Sequence, residues 1–130
     1  MKKYSKYIIS IFLSTILYSQ EKIIFKSANP FGFKDIISNL ETLDEIEVNG
    51  VLKLPNGEGP FPLIIGVAGS LDWGEHHLEY MEMYRSIGIA TFELQSFSSR
   101  GIKSTVGSQV NVTTAMMILD AYKALEVLTK

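Results

Sequence analysis

The side chains best able to perform chemistry in this sequence follow an apolar run that ends at Ala68. Ser70 is followed within seven residues by Asp72, His76 and His77, so a nucleophile, an acid and a base are all present. A nucleophile elbow needs small residues two positions before and two positions after its serine. Ala68 meets this requirement and Asp72 does not. A catalytic triad also needs partners that separate elements support, so the sequence disfavours a self-contained triad at Ser70.

A metal site is the second chemistry that this region suggests. Glu75, His76 and His77 are adjacent potential ligands. Successive side chains at the start of a helix point about 100° apart, and zinc needs further converging ligands. None is visible nearby, and the chain has no cysteine. We therefore predict no metal and expect these residues to be solvated or to anchor the start of a helix.

Arg100 is the third candidate because it lies in a Ser- and Gly-rich loop after a predicted strand. In α/β folds, ligands bind at the carboxyl ends of the strands. Two roles for Arg100 remain open from the sequence. It either orients an anionic group of a substrate, as a substrate-loop residue, or it braces the loop and contributes surface charge.

Hydrophobic periodicity predicts the elements that position these residues. Apolar runs and alternating patterns indicate strands at 22–28, 44–54, 63–68 and 89–94. The 3.6-residue period indicates helices at 77–87 and 111–130, and Gly88 is placed to end the first of them. Asn49-Gly50 is a possible hairpin turn, but we favour one continuous strand with a glycine irregularity.

These elements predict an α/β fold with a mostly parallel sheet and flanking helices. The run at 63–68 shows no alternation, which indicates a strand buried on both faces. We expect the last helix to run to Lys130, leaving the sheet without further strands. We therefore expect an incomplete architecture, either the N-terminal portion of a larger protein or a truncated relative of one. The predicted apolar stripe of the last helix consists of Ala115, Ile118, Leu119, Tyr122 and Leu125.

The N-terminus has the layout of a secretory signal peptide. Three lysines precede an apolar run at 7–17, which is followed by small and polar residues. This run has roughly 11 residues, whereas a span of the hydrocarbon core takes about 20. We predict a signal peptide at 1–19, an exported domain at 20–130 and no stable membrane span, with an uncleaved anchor as the alternative.

Composition excludes several other functions. Lysine and arginine number 12 against 14 acidic residues, with no basic stripe, so nucleic acid is not an expected partner. The absence of cysteine excludes disulfides and thiolate metal sites. No glycine loop that could cradle phosphate follows a strand. We predict no cofactor, and the sequence leaves the oligomeric state open.

Several strings taken together resemble the N-terminal half of dienelactone-hydrolase-like proteins, a family of α/β hydrolases. The most specific are LPNGEGPFPLII at 54–65, GIATFELQSFSSRG at 88–101, and STVGSQ at 104–109 followed by DAYKAL at 120–125. The resemblance covers about residues 25–130. It implies an eight-stranded, mostly parallel sheet and a Ser or Cys nucleophile with an Asp and a His, acting on small-molecule esters or lactones.

The sequence departs from that family pattern at two places. The G-x-S-x-G elbow is absent, and with it the acid and histidine that follow it in chain order, so no catalytic residue is predicted in this chain. Relatives commonly carry His-Gly where this chain has Ala68-Gly69. The resemblance implies that the backbone N–H of Ser70 or Leu71 forms half of an oxyanion hole, and an ordinary loop after a strand is the alternative for this segment. The alternative is a non-catalytic exported binding module that retains half of the fold.

Overall fold

The structure is a computed structural model that describes residues 19–130. The predicted signal peptide lies outside the described residues, except for Ser19. The strands are β1 (Gln20–Ala28), β2 (Glu45–Lys53), β3 (Leu63–Val67) and β4 (Ala90–Leu94), and the helices are α1 (Phe33–Ser38), α2 (Glu75–Ser86) and α3 (Thr114–Leu128).

The four strands form one mixed sheet in the order β1-β2-β4-β3. β2 pairs antiparallel with both β1 and β4, and only β3 and β4 are parallel. The prediction of a mostly parallel α/β-hydrolase sheet is therefore wrong. A parallel pair needs a crossover connection, and the described chain has one such unit, β3-α2-β4. The strand-helix-strand pattern of this unit does not extend to β1 and β2, which pair antiparallel.

The predicted burial of the 63–68 run on both faces is also wrong. The side chains of β3 are only half-buried, and Val67 is 47% exposed. β3 occupies one edge of the sheet, so its outer side has no neighbouring strand among residues 19–130. The fully buried strand is β4, which lies between β2 and β3.

The two faces of the sheet differ in chemistry. Phe92 and Leu94 of β4 pack with Phe25, Val48 and Ala124 into the apolar core under α3. The alternate side chains of β4 face α2 and are polar. There Arg85 Nη1 donates to Thr91 Oγ1 over 2.7 Å, and Lys53 Nζ donates to Glu93 over 2.8 Å.

Helix α3 buries a different face from the predicted stripe. Ala115 and Leu119 are buried as expected, but Ile118, Tyr122 and Leu125 are exposed. The buried face instead includes Met116, Asp120 and Ala124. Asp120 accepts hydrogen bonds from side chains of β1 and of the loop after β4. These bonds turn the face of α3 that carries Asp120 toward the sheet.

The remaining local predictions about turns are confirmed. β2 runs without a break through Asn49-Gly50, so the hairpin alternative is excluded. Its pairing with β1 keeps one regular register across Gly50, so the expected glycine irregularity is not present in the pairing. Gly88 has a φ of 89° and follows the end of α2, as expected for a glycine that terminates a helix.

Within residues 19–130, no helix combines the length and hydropathy needed to cross a membrane.

Gly50 is required in β2 because the ring of Phe92 occupies the position of its missing side chain. A Cβ at residue 50 would overlap the ring atoms of Phe92, which is fully buried. We expect Gly50→Ala to lower the free energy of unfolding by about 2 kcal/mol, a typical cost of overpacking a core. Urea denaturation measures this change.

Gly32→Ala is the matched control. No atom lies within 4 Å of a Cβ built on Gly32, and its φ of −141° is open to any residue. We expect it to change stability by less than about 1 kcal/mol. Equal losses in the two variants would contradict the packing of Phe92 against Gly50.

Candidate functional site

A tight turn follows β3 and presents the two predicted backbone donors. The N–H of Asp72 donates to the carbonyl of Gly69 over 2.9 Å, which places Ser70 and Leu71 at the corner. Leu71 is 75% exposed. Among residues 19–130, the N–H groups of Ser70 and Leu71 donate no hydrogen bond. Both amides are therefore available to an external acceptor.

The turn is held in place through the peptide that joins Ser70 to Leu71. In this peptide the carbonyl of Ser70 lies opposite the N–H of Leu71. The carbonyl of Ser70 accepts hydrogen bonds from the N–H of Thr105 at 2.9 Å and from Ser104 Oγ at 3.0 Å. These contacts join the loop after β3 to the loop after β4. The orientation of the corner peptide is therefore fixed by the protein rather than by solvent.

Asp72 ends this turn in an unfavourable environment. Its φ of 60° lies in the left-handed region that non-glycine residues rarely adopt. Its Oδ1 is buried and has no hydrogen-bond partner among the described residues. Burial raises the pKa of the Asp72 carboxyl, partly offset by a hydrogen bond from the N–H of Trp73. Such strain is concentrated at functional sites in many proteins.

Trp73 and the histidines anchor the loop and the start of α2. The indole N–H of Trp73 donates to the carbonyl of Leu94 over 2.9 Å, which ties the loop to the end of β4. His77 Nδ1 accepts the N–H of Gly74 over 3.0 Å, so His77 caps α2. The ring of His76 lies 3.8 Å from that of His77. Within residues 19–130 no three metal-ligating side chains converge.

Arg100 forms the centre of a buried network with Asp120. Its Nη1 and Nη2 bond the two carboxylate oxygens of Asp120 at 2.7 Å and 3.1 Å. The same guanidinium donates to the carbonyls of Ser96 and Ala28 and to Asn29 Oδ1. These bonds use all five N–H groups of the guanidinium. An anionic ligand could bind Arg100 only by displacing one of these partners.

Two serines complete the coordination of Asp120, which is fully buried. Ser27 Oγ and Ser96 Oγ donate to its two oxygens, the second over 2.7 Å. A buried carboxylate is strongly destabilising unless it is paired and hydrogen-bonded. The network meets both conditions and connects β1, the loop after β4, and α3.

A cavity of about 360 Å³ lies beside the turn. Ser70 lines it, together with the segment before α1 and the first turns of α3. Its walls contain no charged side chain: they are formed by Phe31, Gly32, Phe33, Ser70, Thr105, Gln109, Val110, Val112, Thr113, Thr114, Ala115 and Met117.

The segment that carries the two phenylalanines is fixed by hydrogen bonds. Asp35 Oδ2 accepts the N–H groups of Phe31 and Gly32 at 2.9 Å and 3.0 Å. The bond from Gly32 is the main reason why the pKa of Asp35 is lowered. Thr113 Oγ1, the N-cap of α3, donates to the carbonyl of Pro30 over 2.9 Å. The hydrogen bond from Thr113 to Pro30 thereby joins two walls of the cavity, the segment before α1 and the start of α3.

Of the three predicted site residues, Ser70 and Leu71 share the turn, and Arg100 is not brought to it. Ser70 lines the cavity just described, and Leu71 lines a second depression with Asp72, Trp73 and Lys103. Arg100 lines neither of them and is oriented toward Asp120. Comparisons of the chain with protein families, with curated proteins and with solved structures found no match.

Sequence reasoning missed Phe31, Phe33 and Asp120. The two phenylalanines lie in a turn-rich segment without periodicity, so nothing local indicates that α3 packs beside them. Asp120 did carry a signal, because it lies between Leu119 and Ala121 in an otherwise apolar helix. A lone acidic residue at such a position needs a cationic or hydroxyl partner.

We expect Asp120→Ala to lower the free energy of unfolding by about 3 kcal/mol, because it leaves the Arg100 guanidinium buried without its counter-charge. Lys123→Ala, which removes the ion pair between Lys123 and Glu126 on the outer face of the same helix, should cost less than about 0.5 kcal/mol. Urea denaturation compares the two. A small loss in Asp120→Ala would show that the network contributes little.

Asp72 and Asp35 should affect stability with opposite dependence on pH. The folded pKa of Asp72 is raised, so its contribution to stability is lost as pH rises from the unfolded value of 3.8 through the folded value. The folded pKa of Asp35 is lowered, so its contribution is present above 3.8 and is lost as pH falls below it.

The Asn variants test these signs by urea denaturation at a series of pH values. As pH rises through each window, Asp72→Asn should gain stability relative to the parent chain, and Asp35→Asn should lose it. Parallel pH profiles for the two variants would contradict the assigned environments.

Proposed function

We propose that this chain is the N-terminal part of an exported hydrolase that cleaves carboxylic esters or lactones. In this proposal the chain itself contains no catalytic triad, and the nucleophile, serine or cysteine, follows in the sequence beyond Lys130. The chain contributes the backbone N–H of Ser70 or Leu71 as a donor to the oxyanion. The observation that carries the proposal is the fixed turn after β3 with its two unengaged amides.

The chemistry of ester cleavage explains why such a turn is useful. Attack on the carbonyl carbon transfers negative charge to the carbonyl oxygen, and a fixed N–H donor stabilises that charge without reorganising. The hydrogen bonds from Thr105 and Ser104 to the Ser70 carbonyl fix the corner peptide in advance. The resemblance of residues 25–130 to dienelactone-hydrolase-like sequences supports the same reaction class.

The role of the backbone predicts that the side chain of Ser70 is dispensable. Proline at residue 70 removes the N–H and is compatible with the second position of a turn, whereas alanine removes only the hydroxyl. In the protein encoded by the complete reading frame, we expect the variant that removes the donor N–H, Ser70→Pro for Ser70 or Leu71→Pro for Leu71, to lower kcat for p-nitrophenyl acetate by about 100-fold. Unchanged kcat in both proline variants would contradict the proposed oxyanion donor. Ser70→Ala, the matched control, should change it by less than about threefold.

Two further results would contradict the proposal. One is a loss in Ser70→Ala as large as that in Ser70→Pro, which would indicate that the hydroxyl acts as a nucleophile. The other is a reading frame that continues past Lys130 without G-x-S-x-G or G-x-C-x-G within about 30 residues. The 130-residue chain alone should not hydrolyse the ester above the buffer rate.

A non-catalytic binding module is the second candidate, and the edge of the sheet favours it. The outer side of β3 is unpaired within the described residues. Beside it, Ile65, Ala121, Tyr122 and Leu125 form an apolar groove. An extended segment of a partner protein can pair with such an edge. A stop codon directly after Lys130, together with the absence of esterase activity, would favour this candidate over the hydrolase.

A further inference from the structure

We propose that the cavity beside Ser70 binds the uncharged, apolar acyl group of the substrate, an aromatic or branched aliphatic group. This inference rests on the proposed function and specifies its substrate class. The volume of about 360 Å³ lies within the range of small-molecule sites. Three properties of the cavity support this assignment: its neutrality, its exposed apolar rim and its contact with Ser70.

The cavity is neutral because no side chain that lines it carries a charge. Two charged groups on neighbouring segments are engaged elsewhere, and Lys34 and Lys103 do not line the cavity. The Asp35 carboxylate accepts the N–H groups of Phe31 and Gly32, and the Arg100 guanidinium is bound to Asp120. A carboxylate ligand would lose its hydration here without gaining a counter-charge, which is strongly unfavourable. The cavity therefore selects against anionic acyl groups.

The rim of the cavity carries apolar side chains that the protein leaves in water. Phe31 is 70% exposed and Val110 is 58% exposed, whereas Val112 and Ala115 at the base are buried. Covering exposed apolar surface is favourable in proportion to the area removed from water. Aromatic rings such as Phe31 also interact favourably with ligand rings in offset or edge contacts. The rim therefore favours an aromatic or branched aliphatic ligand.

The contact with Ser70 identifies which part of the substrate is bound. The acyl group is attached directly to the carbonyl carbon, whose oxygen must reach an N–H of the turn. Because Ser70 belongs both to the turn and to the cavity wall, an acyl group in the cavity places its own carbonyl beside residue 70 of the turn. The oxyanion donors and the specificity pocket are thus neighbouring parts of one site.

Direct binding to the 130-residue chain tests the proposal without requiring catalysis. N-methylbenzamide is a stable mimic of a benzoyl ester, and benzoate is its anionic counterpart. In a titration followed by ¹H–¹⁵N correlation spectra, the amide should cause saturable shifts at Ser70 and Val110. Benzoate should bind at least about tenfold more weakly. Equal binding of both probes, or no saturable shift at Ser70, would overturn the proposal.

Two valines in the same loop provide a matched pair of variants. Val110→Glu places a carboxylate in the cavity wall and should weaken binding of N-methylbenzamide at least about tenfold. Val106 is 67% exposed and does not line the cavity, so Val106→Glu should leave the affinity within about twofold. The spectrum of each variant shows whether it is folded. Equal weakening by both variants would contradict the site.

A second pair of variants keeps the test decisive if Val110→Glu does not fold. Phe31→Ser removes an exposed ring from the rim, and Ile37→Ser removes a still more exposed apolar side chain from α1 that does not line the cavity. Only Phe31→Ser should weaken the binding of N-methylbenzamide. Unchanged affinity in Phe31→Ser would overturn the assigned rim.

The failures of the two proposals are distinguishable. Binding of N-methylbenzamide without ester hydrolysis by the complete protein would overturn the proposed function and retain a neutral-ligand site. Ester hydrolysis without binding of the amide, and with no preference for benzoyl over acetyl esters, would overturn the acyl pocket and retain the hydrolase.

Discussion

Asp120 is a fully buried carboxylate in the middle of an apolar helix, and much of the surrounding architecture compensates its charge. Its oxygens accept hydrogen bonds from Ser27 in β1 and from Ser96 and Arg100 in the loop after β4. Breaking such a network leaves an uncompensated charge in a medium of low dielectric constant. The network therefore joins β1, the loop after β4 and α3. Removing any one of its charged groups would destabilise the contacts among all three.

This arrangement also determines the geometry of the candidate site. Arg100 fixes one end of the loop after β4, and Thr105 in the same loop holds the carbonyl of Ser70. With Asp120 facing inward, the first turn of α3 places Ala115 in the cavity wall and lets Thr113 reach Pro30. The turn amides and the apolar cavity are thus positioned by the same buried charge pair, although neither of them contacts it.

The sequence could predict the elements but not how they pair. Alternation indicated β2 as one strand, and Gly88 indicated the end of α2, because both signals are local. The antiparallel pairing of β2 with β4 joins residues about 40 positions apart, which no local pattern encodes. The exposed face of α3 was misjudged for a related reason. Hydrophobicity alone favoured Tyr122 and Leu125, whereas Asp120 and its distant partners determine the orientation of the helix.

The placement of the charged groups limits what chemistry this region can perform. Arg100 is saturated by internal partners, and His77 accepts the N–H of Gly74 through Nδ1. At Ser70 the structure presents a pair of backbone N–H groups and a neutral apolar cavity. In the proposed hydrolase, such a site would stabilise the negative charge that develops as the substrate is attacked. That role would fit a neutral ester, because its carbonyl oxygen becomes charged only during the attack.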